Sequence, residues 1–254
     1  MENETIIKIE GVSAGYDGHE VVSDASFPVF SRDFLGVIGP NGGGKTTLVK
    51  ILLGLLRPTK GEISFFRNGK SVSSLRTGYL PQYSTFDRKF PISVREVILS
   101  GLHSKHFVLH RFGRTDCEKA EAILRLLDLE ECADSAVGEI SGGQRQRALI
   151  GRALICDPEV LILDEPNTYI DQKNQEKLYE LLNRVNLHCA IVLVSHDIGT
   201  VLRNVRNIVC VNRKVHYHPV NEVSEKVLEE SFGCPFQLVA HGHIPHRVLE
   251  EHGK

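Results

Sequence analysis

The sequence predicts an α/β fold: a largely parallel sheet with helices around it, an N-terminal antiparallel β subdomain, and a helical subdomain inserted in mid-chain. Three observations carry this. The runs FLGVIG (34–39), VLILDE (160–165), AIVLVS (190–195) and NIVCVN (207–212) are β-rich and apolar on both faces, as strands buried inside a parallel sheet are. Segments with helical spacing alternate with them. From about 84 to 156 the strand signals fade and helical patterns take over.

In chain order, IIKIEGVSAGY (6–16) and GEISFF (61–66) read as short antiparallel strands. KTTLVKILLGLL (45–56) follows the run 34–39 with helical spacing and stops where RPTKG brings Pro and Gly. TDCEKAEAILRLLDLEE (115–131) predicts a helix opened by a Thr115–Glu118 capping box, with Ala120, Ile123, Leu124 and Leu127 as its apolar stripe. One domain over 1–254 is expected, with a core of 1–83 and 157–215, a helical subdomain of 84–156, and a less regular, histidine-containing tail of 216–254.

Bulk properties exclude several function classes. A chain of 254 residues builds a sizeable core without staples. Its 30 Lys+Arg against 32 Asp+Glu leave −2, so no global basic field recruits nucleic acid. The six cysteines are scattered without a C-x-x-C pair, which argues against a zinc ribbon or disulfide framework and fits a reducing compartment. The opening MENETIIKIE lacks the regions of a signal peptide, and no apolar run is long enough to span a bilayer. A soluble protein is expected, serving a membrane only through a partner.

GPNGGGKTT (39–47) carries the strongest chemistry. It matches G-x-x-x-x-G-K-[ST] between a buried strand and a helix, the context that motif needs. Gly39, Pro40, Asn41, Gly42, Gly43 and Gly44 curl the backbone so that N–H groups face phosphate oxygens, and the helix adds its positive end. Lys45 supplies a point charge for the β- and γ-phosphates; the Thr46 hydroxyl, followed by Thr47, can ligate Mg²⁺. ATP with Mg²⁺ is the expected ligand.

VLILDE places Asp164 and Glu165 at the C-terminal edge of a parallel sheet, where ligands of open α/β folds bind. Successive strand residues point to opposite sides, so different work is expected of the two: Asp164 in the magnesium shell, Glu165 polarising the attacking water. VSHDIG (194–199) closes a third strand and offers His196 to hold water and γ-phosphate in line. Gln82, in YLPQYSTF (79–86), can reach Mg²⁺ or the water from the edge of the helical subdomain, as a hinge.

EISGGQRQRALIGRAL (139–154) holds a second glycine turn. Ser141 is the expected N-cap, and Gly142, Gly143 and Gln144 open a helix whose amides suit an anion. One ATP in its own P-loop is already surrounded by donors. The economical arrangement gives this turn to the γ-phosphate of an ATP held by a second copy, head to tail.

Together these residues resemble the ATP-binding cassette (ABC) family over almost the whole chain. The resemblance implies a P-loop NTPase, RecA-like core of the ABC ATPase type. It makes Gly39–Thr46 the Walker A loop, Gln82 the Q-loop residue, Ile140–Gln144 the signature, and Val160–Asp164 with Glu165 the Walker B strand. Thr168–Asp171 becomes the D-loop, with Asp171 facing nucleotide, His196 the switch histidine, and Tyr16 in AGYDG the adenine-stacking aromatic. Ile140 replaces the family's usual Leu, and Tyr169 stands where a small residue is usual.

With one cassette and no span, the chain looks like the separate ATPase subunit of an importer. The resemblance implies transmembrane permease subunits docking near Phe86, Phe90 and Pro91, an external substrate-binding protein, and a peripheral place on the cytoplasmic side of the plasma (inner) membrane. FPISVREVILSGL (90–102), RQRALIGRAL (145–154) and HGHIPHRVLEEHGK (241–254) are similar to the zinc, manganese and iron uptake branch. Half of the 12 histidines lie from His216 onward, including His241, His243, His246 and His252. Their spacing fits no fixed ligand set, so they read either as solvated or packed residues or as a weak metal-holding tail. The alternatives are a non-transport ABC ATPase acting on nucleic acid or the ribosome, an importer for another substrate, and a regulatory subunit that does not hydrolyse.

Overall fold

The structure, a computed structural model, describes residues 4–82, 90–102, 112–167, 172–223, 237–241 and 244–248. The chain divides into two compact units: Met1–Ser74 with Val192–Lys254, and Leu75–Ile191.

In the first unit, β1 (Thr5–Tyr16) and β2 (His19–Phe30) form an antiparallel hairpin that closes at Tyr16↔His19. Asp17 (φ 51°) and Gly18 (φ 78°) between them are both left-handed, the two-residue turn whose twist matches paired strands. β4 (Lys60–Arg67) pairs with β1, and β5 (Lys70–Val72) with β4 across a second such turn, Asn68–Gly69. β3 (Phe34–Ile38) is buried at every position and runs parallel to β9 (Asn207–Asn212); β10 (Lys214–Pro219) folds back antiparallel on β9 and touches β2. β8 (Ala190–Val194), of which Val192–Val194 belong here, follows β3, so the strand order is β5-β4-β1-β2-β10-β9-β3-β8. The helices are α1 (Lys45–Leu52) and α6 (Ile198–Asn204). Gly36 lets α6 sit on β3, since a Cβ there would lie 2.4 Å from Val201 Cγ1.

The second unit contains the segment expected to be helical together with two parallel strands, β6 (Thr77–Leu80) and β7 (Val160–Asp164). Around them are α2 (Val94–Leu99), α3 (Arg114–Leu126), α4 (Gly142–Leu154) and α5 (Gln172–Asn186). Ala120, Leu124 and Leu127 are buried as the stripe requires, and Ile123 is half-buried.

Three expectations need correction. The first helix ends at Leu52 rather than Leu56, because Gly54 turns left-handed (φ 69°) and the N–H groups of Leu55 and Leu56 fold back on the Lys50 carbonyl. The helix expected at 115 begins at Arg114, where Asp116 accepts from the Gly113 N–H at 2.9 Å, and Thr115–Glu118 forms no box. It stops at Leu126, since Asp128 turns left-handed (φ 51°). The tail is more regular than expected: β10 covers 214–219, and β11 (Gln237–His241) pairs with β12 (Ile244–Val248) as an antiparallel hairpin. Val, Ile and Leu among the histidines there favour extended chain.

No helix among the described residues is long and apolar enough to cross a membrane. The thiols sort by burial: Cys117 is exposed, Cys132 and Cys189 are buried, and burial pushes Cys189 up to about 12. A thiol protonated at neutral pH is a poor nucleophile. Alkylation at pH 8 should therefore label Cys117 first and Cys189 only on unfolding, which peptide mapping by mass spectrometry reads; early labelling of Cys189 would contradict this core.

Candidate functional site

The first unit builds the P-loop by close approach. A Cβ on Gly39 would lie 2.0 Å from the Val211 carbonyl oxygen, and one on Gly43 2.7 Å from the same atom. Gly44 (φ 111°) is the N-cap of α1 and lies against β2, where a Cβ would meet Val21 O and Val22 Cγ2 at 3.0 Å. Arg213 N–H donates to Gly43 O at 2.9 Å, tying the loop to the β9–β10 turn, and Gly43 N–H to Pro40 O at 3.1 Å. Asn41 and Gly42 are exposed at the crest; nothing lies within 4 Å of a Cβ on Gly42. Lys45 is buried, and its ammonium donates to the carbonyls of Gly39 (2.9 Å) and Pro40 (3.0 Å), which holds the cation on the loop. The first bond of the helix, Leu48 N–H to Gly44 O at 2.9 Å, leaves the amides of residues 45–47 outside its ladder. Thr46 is exposed there and Thr47 buried.

The same unit places His196 and Tyr16. Ser195, just past β8, donates its N–H to Val37 O of β3 at 3.1 Å and accepts from Asp197 N–H at its Oγ, also 3.1 Å. Asp197 caps α6 by accepting from Thr200 N–H at 3.1 Å. His196 is thus exposed between two anchored neighbours, at the edge from which β3 enters the P-loop. Tyr16, 41% exposed, stands at the corner of the β1–β2 hairpin.

In the second unit, β6 and β7 end together, with Leu80 opposite Leu163. Their exits bring half-buried Gln82 to the same edge as Asp164 (4% exposed) and Glu165 (8%). The expected alternation fails here. β7 stops at Asp164, and Glu165 turns left-handed (φ 53°), so a backbone turn, not the pleat, sets the two carboxylates apart. Tyr79, which the sequence reading passed over, feels this edge: burial and then the Asp164 charge raise its phenol above the ordinary range. No local pattern marks it, since strand pairing alone creates the proximity.

The second glycine turn is built as expected. Ser141 Oγ accepts from Gln144 N–H at 3.2 Å, and Gln144 Oε1 from Ser141 N–H at 3.0 Å. This reciprocal box is taken up by the ends of the turn, so Gly142 and Gly143 present the amides between. A Cβ on Gly143 would meet nothing within 4 Å, while Ile140 before it is buried.

Phe90 is 60% exposed and Pro91 exposed before α2. His216 and His218 stack on β10 with ring centroids 6.5 Å apart, and among the described residues no three His, Cys, Asp or Glu gather as a metal-ion set. Phe86, Thr168, Tyr169, Asp171, Cys234, His243 and His252 lie outside the described residues.

The family model described as ABC transporter matches residues 22–168. The chain belongs to the ABC transporter family. It is an ATP-binding protein and an ATPase of that family. It is 39% identical over 231 residues to a probable metal transport system ATP-binding protein of Chlamydia trachomatis, covering 89% of this chain and 98% of the relative. With the zinc uptake system ATP-binding protein ZurA of Listeria monocytogenes it shares 35% identity, over 83% of this chain and 84% of that one. A metal-chelate type ABC transporter solved in an inward-facing conformation superposes with a TM-score of 0.84 at 25% identity, over 96% of this chain and 97% of that one. An ATP-binding cassette in its ADP conformation shares the fold at a TM-score of 0.78, 22% identity, and 89% and 97% coverage. Both ABC structures agree with the α/β P-loop fold expected from the sequence.

Proposed function

We propose that this chain drives uptake of a divalent metal ion, zinc or manganese, as the ATPase subunit of an importer whose permease is a separate protein. The observation that carries the ATPase half is the P-loop, where backbone packing excludes any side chain at Gly39 and Lys45 is held on the loop. The metal half is supported by relatives named for metal transport and zinc uptake that align over most of the chain.

Lys45 and the amides of the loop bind the β- and γ-phosphates, and the Tyr16 ring stacks on adenine. The Thr46 hydroxyl, the Asp164 carboxylate and the Gln82 amide oxygen fit Mg²⁺, being hard oxygen donors of the kind it takes beside phosphates. When bound, Mg²⁺ neutralises charge developing on the phosphates. Glu165 accepts the proton of the attacking water, and His196 holds water and γ-phosphate in line. Ser141, Gly142, Gly143 and Gln144 cap the γ-phosphate of an ATP held by a second copy, whose D-loop Asp171 also faces nucleotide. ATP then closes a head-to-tail dimer and hydrolysis reopens it, which moves permease subunits docked by Phe90 and Pro91 on the segment of 84–156. An external capture protein delivers the ion, and the subunit sits peripherally on the cytoplasmic face of the membrane.

Cells lacking this subunit should hold less zinc or manganese under limitation, restored by the wild-type gene but not by Glu165→Gln, as elemental analysis reads. Unchanged content of both metals would overturn the metal assignment.

A further inference from the structure

Lys50 lies on the last turn of α1, five residues beyond the P-loop lysine, and is exposed. Its ammonium donates to the Tyr16 hydroxyl at 3.2 Å and stands 5.2 Å from the centroid of the Tyr16 ring. Thirty-four residues separate the two in sequence. The contact depends on two rigid supports. Tyr16 is fixed at the corner of a tight two-residue hairpin turn, and the Lys50 carbonyl is held by the N–H groups of Leu55 (2.8 Å) and Leu56 (3.1 Å). The other strand of that hairpin, β2, backs the P-loop at Gly44 through Val21 and Val22, so the hairpin joins the loop, α1 and the ring.

We infer that Lys50 is a positioning residue for the nucleobase: it fixes the Tyr16 ring by a hydrogen bond and a cation–π contact, so that the ring presents a preset face to a purine. An exposed tyrosine alone samples several rotamers and loses that freedom when a base stacks on it. A cation that holds the ring beforehand removes part of this cost and raises affinity without touching the phosphates. The inference rests on Tyr16 being the base platform.

The test uses the full chain and compares two ligands, ATP and inorganic tripolyphosphate, which lacks a base. Lys50→Ala should weaken ATP binding about two- to fivefold, as an exposed cation–π contact allows, and leave tripolyphosphate binding unchanged. In hydrolysis by the Lys50→Ala protein, alone or in its assembled complex, KM for ATP should rise above the wild-type value while kcat holds. Lys50→Arg should restore most of the loss, since a guanidinium both donates and lies over a ring. Equal weakening of ATP and tripolyphosphate would make Lys50 a general phosphate-attracting charge and overturn the inference. Tyr16→Ala separates the two readings. If it weakens ATP but not tripolyphosphate while Lys50→Ala changes neither, the platform stands and the role of Lys50 falls. If Tyr16→Ala leaves ATP binding unchanged, the platform reading itself fails, and the inference with it.

Discussion

Glu165→Gln should bind ATP as the wild type does, hydrolyse it roughly 10²–10⁴-fold more slowly, and accumulate as an ATP-bound dimer. The substitution keeps the size of the side chain and removes its negative charge and its capacity to take a proton. It also keeps the backbone problem unchanged. Glu165 sits at φ 53°, a conformation costing a residue with a Cβ about 1–2 kcal/mol, and Gln carries the same cost. Any fall in rate therefore reports chemistry rather than unfolding. Glu165→Gly is the informative companion. Glycine takes this φ freely, so that variant should be as inactive as Gln yet at least as resistant to heat. Phosphate release, size-exclusion chromatography with ATP and Mg²⁺, and thermal melting together read the pair. Ordinary turnover in the Gln variant would remove Glu165 from the proton step.

That left-handed turn marks a limit of what was legible in the sequence. The four runs read as buried strands end within one residue of β3, β7, β8 and β9, because β-rich residues apolar on both faces have one comfortable environment. The capping of α4 was equally readable, since Ser, two glycines and Gln in that order leave the backbone few other partners. Other features depend on choices that are locally degenerate. Thr115–Glu118 reads as the start of α3 in the sequence, whereas the structure opens the helix at Arg114 with Asp116 accepting from the Gly113 N–H. Gly54 was compatible with a helix running to Leu56, and only its φ of 69° shows it ending the turn. The directions of Asp164 and Glu165 were derived from strand alternation, which ceases where β7 does. Contacts made by strand pairing or helix docking, such as Tyr79 with the Asp164 charge and Lys50 with Tyr16, have no signal along the chain at all.

Ser141→Arg should abolish hydrolysis while sparing ATP binding by the monomer. Removing the cap costs the α4 start about 0.5–2 kcal/mol, less than the 5–15 kcal/mol that typically holds a domain, so the chain stays folded. The arginine also crowds the glycine turn, where a Cβ on Gly143 would meet nothing within 4 Å. Loss of activity alone does not say whose nucleotide the turn caps, and a mixture does. Ser141→Arg keeps an intact P-loop and Glu165; Glu165→Gln keeps an intact signature turn. Each variant by itself is inactive. If the turn acts on the partner's ATP, every mixed dimer holds one complete site, and an equimolar mixture should recover roughly a quarter of the wild-type rate, half the dimers being mixed with one site of two competent. If the turn serves its own chain, no combination is complete and the mixture stays silent. A silent mixture in which mixed dimers are demonstrably formed would overturn the shared-nucleotide arrangement, and with it the coupling of ATP binding to closure of two copies.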